Sequence, residues 1–300
     1  MSRPLPLVLA QQPACRAGDL TGFAADVGGH VPAGCAEPLV LYPELHLCGG
    51  PDGDADAVRA AMAGTAEPLD GPRDRALAEV AGDLRVWLAP GTVYERGQDG
   101  RIYNTAVVYS PAGQRVASYR KVFPWRPYET TAAGAEFVVF DIGGVGRVGL
   151  SICYDAWFPE STRHLAWMGA ELVLNLVRTA TADREQELVL ARANAITNQV
   201  FVASLNAAAP AGVGRSLLVD PEGRVRGGTA DAEPATLTDV LDLDEASRVR
   251  RDGTAGLNRV WDQFAADDGA LALPLYDGRI EPATWNPGRH AAPRTGERGH

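Results

Sequence analysis

Short runs rich in Val, Leu, Ile and aromatic residues recur along most of this chain, each closed by Gly, Pro or Asp. Buried strands have this form, whereas helices need longer stretches with a 3.6-residue period. The runs predict strands over Leu5–Gln11, Pro38–Tyr42, Arg85–Tyr94, Tyr103–Ser110, Arg115–Tyr119, Glu136–Ile142, Arg147–Cys153, Leu172–Leu176, Gln199–Ala207, Gly214–Val219 and Ala235–Leu241. Three gaps carry helical signals. Gly71–Ala81 places Ala76, Leu77, Val80 and Ala81 on one face, and Ser161–Gly169 follows a strand directly. Asp183–Asn198 opens with Asp183 and Gln186 at capping-box spacing and carries Leu188, Ala191, Ala195 and Ile196 along one stripe. "YSPAGQRV" and "VDPEGRVR" put Pro and Gly between apolar runs and predict hairpins. Strands joined partly by helices and partly by hairpins predict an α/β fold, with a mixed sheet or two sheets covered by helices.

Three hundred residues with 46% hydrophobic content supply ample core for such a fold. The reading is one domain over 1–285, with a C-terminal extension from about 250 and a polar, Pro/Gly-rich tail, 286–300, expected to be disordered. A net charge of −10 argues against a nucleic-acid partner, since phosphate binding wants a basic face. "MSRPLPLVLAQQPA" lacks a signal-peptide core and reads as a first strand, and no apolar run approaches a membrane span. A cytoplasmic location follows as the expectation. Cys15, Cys35, Cys48 and Cys153 show no CxxC or zinc-like spacing, so free thiols are expected. The five histidines form no HxxxH cluster, and no metal site is expected.

Several apparent motifs fail on context. Gly144-x-Gly146-x-x-Gly149 matches a dinucleotide fingerprint, but its glycines lead into a strand rather than a helix, so it predicts a hairpin turn. Gly149-x-Ser151-x-Cys153 half-resembles a serine nucleophile elbow, yet Cys153 stands where the second Gly is required and Ser151 lies within the strand. A Cys–His dyad needs His46 or His164 near Cys153, and neither lies at an obvious strand end.

Three segments share another layout, an apolar strand that stops at a reactive group. "EPLVLYPELHLCGG" delivers Glu44, "VASYRKVFPWRPYE" delivers Lys121 and then Glu129, and "VGLSICYDAWFPE" delivers Cys153. The carboxyl ends of strands are where ligands bind in parallel-type sheets. Taken alone, each has a plainer reading: a solvated carboxylate, a surface charge pair, a buried thiol.

Together these segments resemble the three signature regions of the carbon–nitrogen hydrolase family, also called the nitrilase superfamily. "YPE" ends in Glu44, "YRK" ends in Lys121 and "CYDAWFPE" begins with Cys153, in the order of that family's Glu–Lys–Cys triad. "YNTAVVYSPAG", "GAELVLNL" and "ARANAITNQVFVASLN" are similar to its flanking strands and helix, so the resemblance runs from about Leu5 to Val249. Tyr154-Asp155 after the cysteine resembles the amidase-type branches, where nitrile-hydrolysing members usually carry Trp-Glu. "KVFPWRPYE" is similar to the aliphatic amidase and formamidase segment, whose second glutamate corresponds to Glu129. Gln12–Leu39, where relatives usually carry a longer helix, and Pro274–Trp285 depart from the pattern.

The resemblance implies a four-layer α-β-β-α sandwich, no cofactor, a small-molecule amide substrate and a homodimer or larger homo-oligomer. It implies that Glu44 takes the Cys153 proton and that Lys121 and the Tyr154 backbone N–H stabilise the oxyanion. Glu129 would position Lys121 and the substrate nitrogen. Asp155, Glu160 and Arg192 read as scaffold, with a Glu160–Arg192 pair pinning the nucleophile turn to the long helix. Phe123, Trp125, Tyr128, Trp157 and Phe158 flank the candidate site, as pocket lining or as core. Asn206 either faces the site or ends its strand. The alternatives are an N-carbamoyl amide hydrolase, a nitrilase, and an inactive scaffold member that only binds partners.

Overall fold

The computed structural model describes residues 2–49 and 55–271, together with Gly278. The expected disordered tail, 286–300, lies outside the described residues, as does nearly all of 274–285. The chain divides into a unit Met1–Trp261 and a unit Asp262–His300. In the second, the described stretch 262–271 is exposed, and Asp268 donates its backbone N–H to the Ala265 carbonyl at 3.1 Å.

The first unit holds two sheets. In chain order its strands are β1 (Pro4–Gln11), β2 (Leu39–Leu41), β3 (Trp87–Ala89), β4 (Thr92–Arg96), β5 (Ile102–Tyr109), β6 (Arg115–Arg120), β7 (Val139–Ile142), β8 (Gly146–Ile152), β9 (Leu172–Val177), β10 (Phe201–Asn206), β11 (Leu217–Val219), β12 (Val225–Gly228) and β13 (Ala235–Asp242). The helices are α1 (Leu20–His30), α2 (Ala55–Thr65), α3 (Pro72–Leu84), α4 (Pro159–Trp167), α5 (Arg184–Asn198) and α6 (Asp244–Asp252). The first sheet runs β13-β1-β2-β3-β5-β4, with β6 also on β5; the second runs β12-β11-β10-β9-β8-β7.

Side-chain alternation builds the layers. Leu5, Leu7 and Leu9 of β1 and Leu39 and Leu41 of β2 join Leu150, Ile152, Leu174 and Leu176 in one core between the sheets. The intervening Val8 and Val40 point the other way, to Phe23 and Val27 of α1 and Leu77 and Ala81 of α3. The outer face of the second sheet offers Val173 and Val202 to Leu165 of α4 and Ala191 and Ala195 of α5. The central strands β1, β2, β9 and β10 are therefore apolar on both faces, which is why their sequences read as continuous runs. The result is the α-β-β-α sandwich.

Both predicted hairpins form: the Ser110 N–H reaches the Gln114 carbonyl between β5 and β6, and the Asp220 N–H reaches the Arg224 carbonyl between β11 and β12. Gly143–Val145 likewise turn β7 antiparallel onto β8, so the glycine fingerprint is a hairpin.

Four expectations need correction. Arg85–Tyr94 is two strands, because Gly91 takes φ +91° between β3 and β4. Helices α1, α2 and α6 form where no helix was expected. Asp183 does not cap α5 with its side chain; its carbonyl accepts the Gln186 and Glu187 N–H groups at 2.9 and 3.0 Å. The buried stripe of α5 is Arg184, Glu187, Ala191, Asn194, Ala195 and Asn198, while Ile196 is exposed.

Candidate active site

Strand direction brings the reactive groups to one edge. β2 is parallel to β3, β3 is antiparallel to β5, and β5 is antiparallel to β6, so β2 and β6 run the same way. Glu44 follows β2 by a short turn and Lys121 is the first residue past β6. β5 runs oppositely and starts at that edge, which sets Asn104 beside Lys121; the Lys121 N–H donates to the Asn104 carbonyl at 2.9 Å.

Lys121 and Glu44 are buried and form one cluster with the half-buried Glu129. Lys121 Nζ donates to Glu44 Oε1 at 3.0 Å and to Glu129 Oε2 at 2.7 Å. The Asn104 amide donates to the same two carboxylates, at 2.7 Å to Glu44 and 3.1 Å to Glu129. Thr131 Oγ1 and the Trp125 N–H complete the shell of Glu129, at 2.9 and 3.0 Å. Burial works against a charged Lys121, but Glu44, Cys153 and Glu129 outweigh it and hold the ammonium well above the ordinary lysine range. Burial likewise works to raise Glu129, and the Lys121 charge and hydrogen bond reverse the sign, leaving it below the usual carboxylate range.

Cys153 sits at the abrupt end of β8. It takes φ +47°, a conformation a side chain with a Cβ rarely adopts, and begins one turn of 3₁₀ helix, Cys153–Trp157, before α4. That turn lifts the sulfur off the strand while Ser151 stays within it, donating to Asn175 Oδ1 at 3.2 Å. Burial, with Glu44 adding to it, pushes the thiol well above its ordinary range, and Lys121 opposes them. The Arg178 N–H reaches the sulfur, and Thr179 Oγ1 lies 3.8 Å from Sγ.

Asp155 fixes both segments. Its carboxylate accepts the Ile152 and Phe123 N–H groups and the Tyr119 hydroxyl, at 2.9, 2.9 and 2.8 Å. A link from the Cys153–Trp157 turn to α5 is made by Asn194, which donates to the Ala156 carbonyl at 3.0 Å; Arg192 donates to the Gly223 carbonyl.

The expected binding residues separate. Trp157 and Phe158 pack around Tyr154, and Phe158 stacks on Phe123 with ring centroids 3.7 Å apart. The buried Trp157 indole N–H has no hydrogen-bond partner among the described residues. Trp125 and Tyr128 pack together but are exposed, Tyr128 to 72%. Asn206 is fully buried and holds backbone: it accepts from the Thr179 N–H and donates to the Thr179 and Gly214 carbonyls. His46 packs against Tyr42 and Phe23, where burial pushes its imidazole down to about 4, and His164 stacks on Phe137. Asn104, Thr179 and Glu187 were not foreseen from sequence. Asn104, within "YNTAVVYSPAG", follows Tyr103 at the head of its strand, a polar residue where an apolar one would pack, and that was the available signal.

Among the described residues, Asp220, Glu222 and Glu245 bring one carboxylate oxygen each within 4.8 Å of one another. They stand on the β11–β12 turn and α6, where Arg224, Arg226 and Arg248 pair with them.

The carbon–nitrogen hydrolase family matches residues 31–251. A hydrolase of Mycobacterium tuberculosis is 30% identical over 256 residues, spanning 78% of this chain and 85% of the relative. A formamidase of Bacillus cereus is 31% identical over 176 residues, 57% of this chain and 53% of its own. The crystal structure of an amidase from Nesterenkonia sp. superposes with a TM-score of 0.64 at 27% identity, covering 83% of this chain and 94% of that one. The chain belongs to the carbon–nitrogen hydrolase family and is a hydrolase acting on C–N bonds.

Proposed function

We propose that the protein is an amidohydrolase that cleaves a small, non-peptide amide to a carboxylate and ammonia or an amine. The observation that carries this reading is Lys121, a buried ammonium held between Glu44 and Glu129 beside the thiol of Cys153. An amide carbonyl is a weak electrophile, and a neutral thiol is a weak nucleophile. The buried sulfur of the resting site carries its proton, so a base must remove it at the moment of attack.

Glu44 takes that proton as the sulfur bonds to the carbonyl carbon. The carbonyl electron pair moves to oxygen, where the Lys121 ammonium and the Tyr154 N–H stabilise it. Donors of this kind are each worth ~10²–10³ in rate. Glu44 then returns the proton to nitrogen, the C–N bond breaks, and the amine leaves a thioester on Cys153. A water gives a proton to Glu44 and attacks the thioester. The sulfur departs, recovers that proton, and the carboxylic acid is released. Glu129 keeps Lys121 aimed and charged.

The formamidase and amidase likenesses support an amide substrate. We also propose a homodimer, because Trp167 on α4 and Val189 on α5 are 77% and 67% exposed and offer an apolar face to a second copy.

The test is release of ammonia or amine from a panel of small aliphatic, aromatic, N-substituted and carbamoyl amides and nitriles, with intact-mass detection of an acyl group on Cys153. Turnover by the native chain and none by a folded Cys153→Ala variant is expected. Activity retained in Cys153→Ala, or an adduct on Ser151, would overturn the mechanism. Turnover confined to carbamoyl compounds or nitriles would overturn the amide assignment.

A further inference from the structure

Behind the thiol lies a buried polar chain that the reaction steps above do not use. Thr179 Oγ1 stands 3.8 Å from Cys153 Sγ and donates to Glu187 Oε1 at 2.7 Å. Glu187 Oε2 accepts from Arg184 Nη1 at 2.9 Å. Arg184 donates further to Ser204 Oγ at 3.0 Å and to the Ser204 and Arg215 carbonyls at 3.2 and 2.9 Å. Arg184 is 1% exposed, Glu187 4% and Thr179 5%. Asn206 clamps the Thr179 backbone from both sides, so the hydroxyl has a fixed origin.

Donor arithmetic gives this chain a polarity. Glu187 is paired with Arg184 and is therefore a carboxylate, which can only accept. The single hydroxyl proton of Thr179 is thus committed to Glu187. Only oxygen lone pairs remain to face the sulfur. A thiol can donate its S–H to them; a thiolate finds no donor there and meets negative density.

We propose that Thr179 and Glu187 are a positioning pair that holds the Cys153 proton on sulfur until Glu44 removes it, so that the nucleophile exists only when a substrate is in place. The inference rests on the reading of Cys153 as the nucleophile. The charged and titratable groups that act on the sulfur are Glu44 after β2, Lys121 after β6 and Arg184 and Glu187 from α5, together with the Arg178 backbone N–H after β9. Glu44 and Glu187 oppose a thiolate, and Lys121 and Arg184 favour one. Of the two carboxylates, only Glu187 is joined to the sulfur through a hydroxyl whose orientation it dictates.

The experiment is the pH profile of iodoacetamide alkylation of the full chain, with the Cys153 peptide quantified by mass spectrometry. It needs no substrate, so failure of the amide assignment and failure of this inference remain distinguishable. In Glu187→Gln the amide oxygen faces Arg184 and the NH₂ faces Thr179, which turns the hydroxyl proton toward sulfur. The alkylation midpoint should fall by about one pH unit, the scale of one charge-linked hydrogen bond. Thr179→Val, which removes the acceptor of the S–H, should lower the midpoint by less, and Thr179→Ser should restore the native profile. The double variant should match Thr179→Val alone. An equal shift from Glu187→Gln in both Thr179 backgrounds would show bare charge acting without the hydroxyl and would overturn the pairing. If Glu187→Gln does not fold with Arg184 unpaired, the two Thr179 variants decide: a native profile in Thr179→Val overturns the proposal.

Discussion

The Tyr119 hydroxyl donates to Asp155 Oδ2 at 2.8 Å, joining the two sheets where the lysine and cysteine segments begin. Tyr119 stands two residues before Lys121 and Asp155 two residues after Cys153. Burial pushes the Asp155 carboxyl up to about 6, despite the three hydrogen bonds it accepts and the Lys121 charge nearby. An acid raised in this way takes its proton in the folded chain before the unfolded one would. Its contribution favours the fold as pH falls from about 6 toward the ordinary carboxylate range, and that gain is lost as pH rises through about 6. Asp155→Asn should lose this component, so its urea midpoint should rise more steeply than the native one between pH 4 and 7. It should also cost about 1–3 kcal/mol at neutral pH, because an amide cannot accept from all three donors. Parallel midpoint curves would place the titration elsewhere.

Glu129→Gln should act on the alkaline side. Lys121 must stay charged against its burial, and Glu129 is one of the three groups that keep it so. Without that charge, the alkaline limb of kcat/KM should move to lower pH, with kcat reduced by ~10–10²-fold. A lower kcat with an unmoved alkaline limb would show that Glu129 sets geometry and not charge.

The Asn104 side chain serves two carboxylates through one nitrogen. Asn104→Leu removes both hydrogen bonds and should lower kcat by about tenfold, the scale of one lost charged hydrogen bond. Asn104→Asp replaces that donor with a third acid and should be worse still. Steady-state kinetics on the three proteins checks the ranking; equal activity in the two variants would remove the charge argument.

Gly91 lies against the residue that precedes Glu44. It holds φ +91°, and a Cβ there would overlap the Pro43 carbonyl oxygen. Gly91→Ala should therefore cost about 1–3 kcal/mol in backbone strain and displace the Glu44 turn, lowering melting temperature and kcat together. Loss of stability with unchanged kcat would mean the turn absorbs the overlap elsewhere.

The strands that lead to Glu44 and Cys153 were legible because a run apolar on both faces leaves a sharp edge where it stops, and the strand before Lys121 because Ala117 and Tyr119 alternate with exposed residues. The helices were legible only where apolar residues recur at helical spacing. α6, "DEASRVRRD", buries only Ala246 and Val249, and α1 contains three glycines around Phe23 and Val27, so neither offers a stripe to read. The inner face of α5 was misread for a chemical reason. It buries Arg184, Glu187, Asn194 and Asn198, and a rule that places apolar residues inside cannot find a polar face turned toward a site. The same blindness hid Thr179 and Asn104, whose importance lies in partners distant in sequence.

Glu129 also ties down the segment that carries Trp125 and Tyr128: it accepts the Trp125 N–H and returns its own N–H to the Trp125 carbonyl at 2.8 Å. The candidate-site groups therefore hang from strands whose backbone is fixed, whereas residues 125–128 form an exposed tether whose two ends meet at Glu129. Inheritance can act on the two separately. In a directed-evolution library, replacements that broaden substrate range should accumulate in the tether, and the strand ends should come through unchanged.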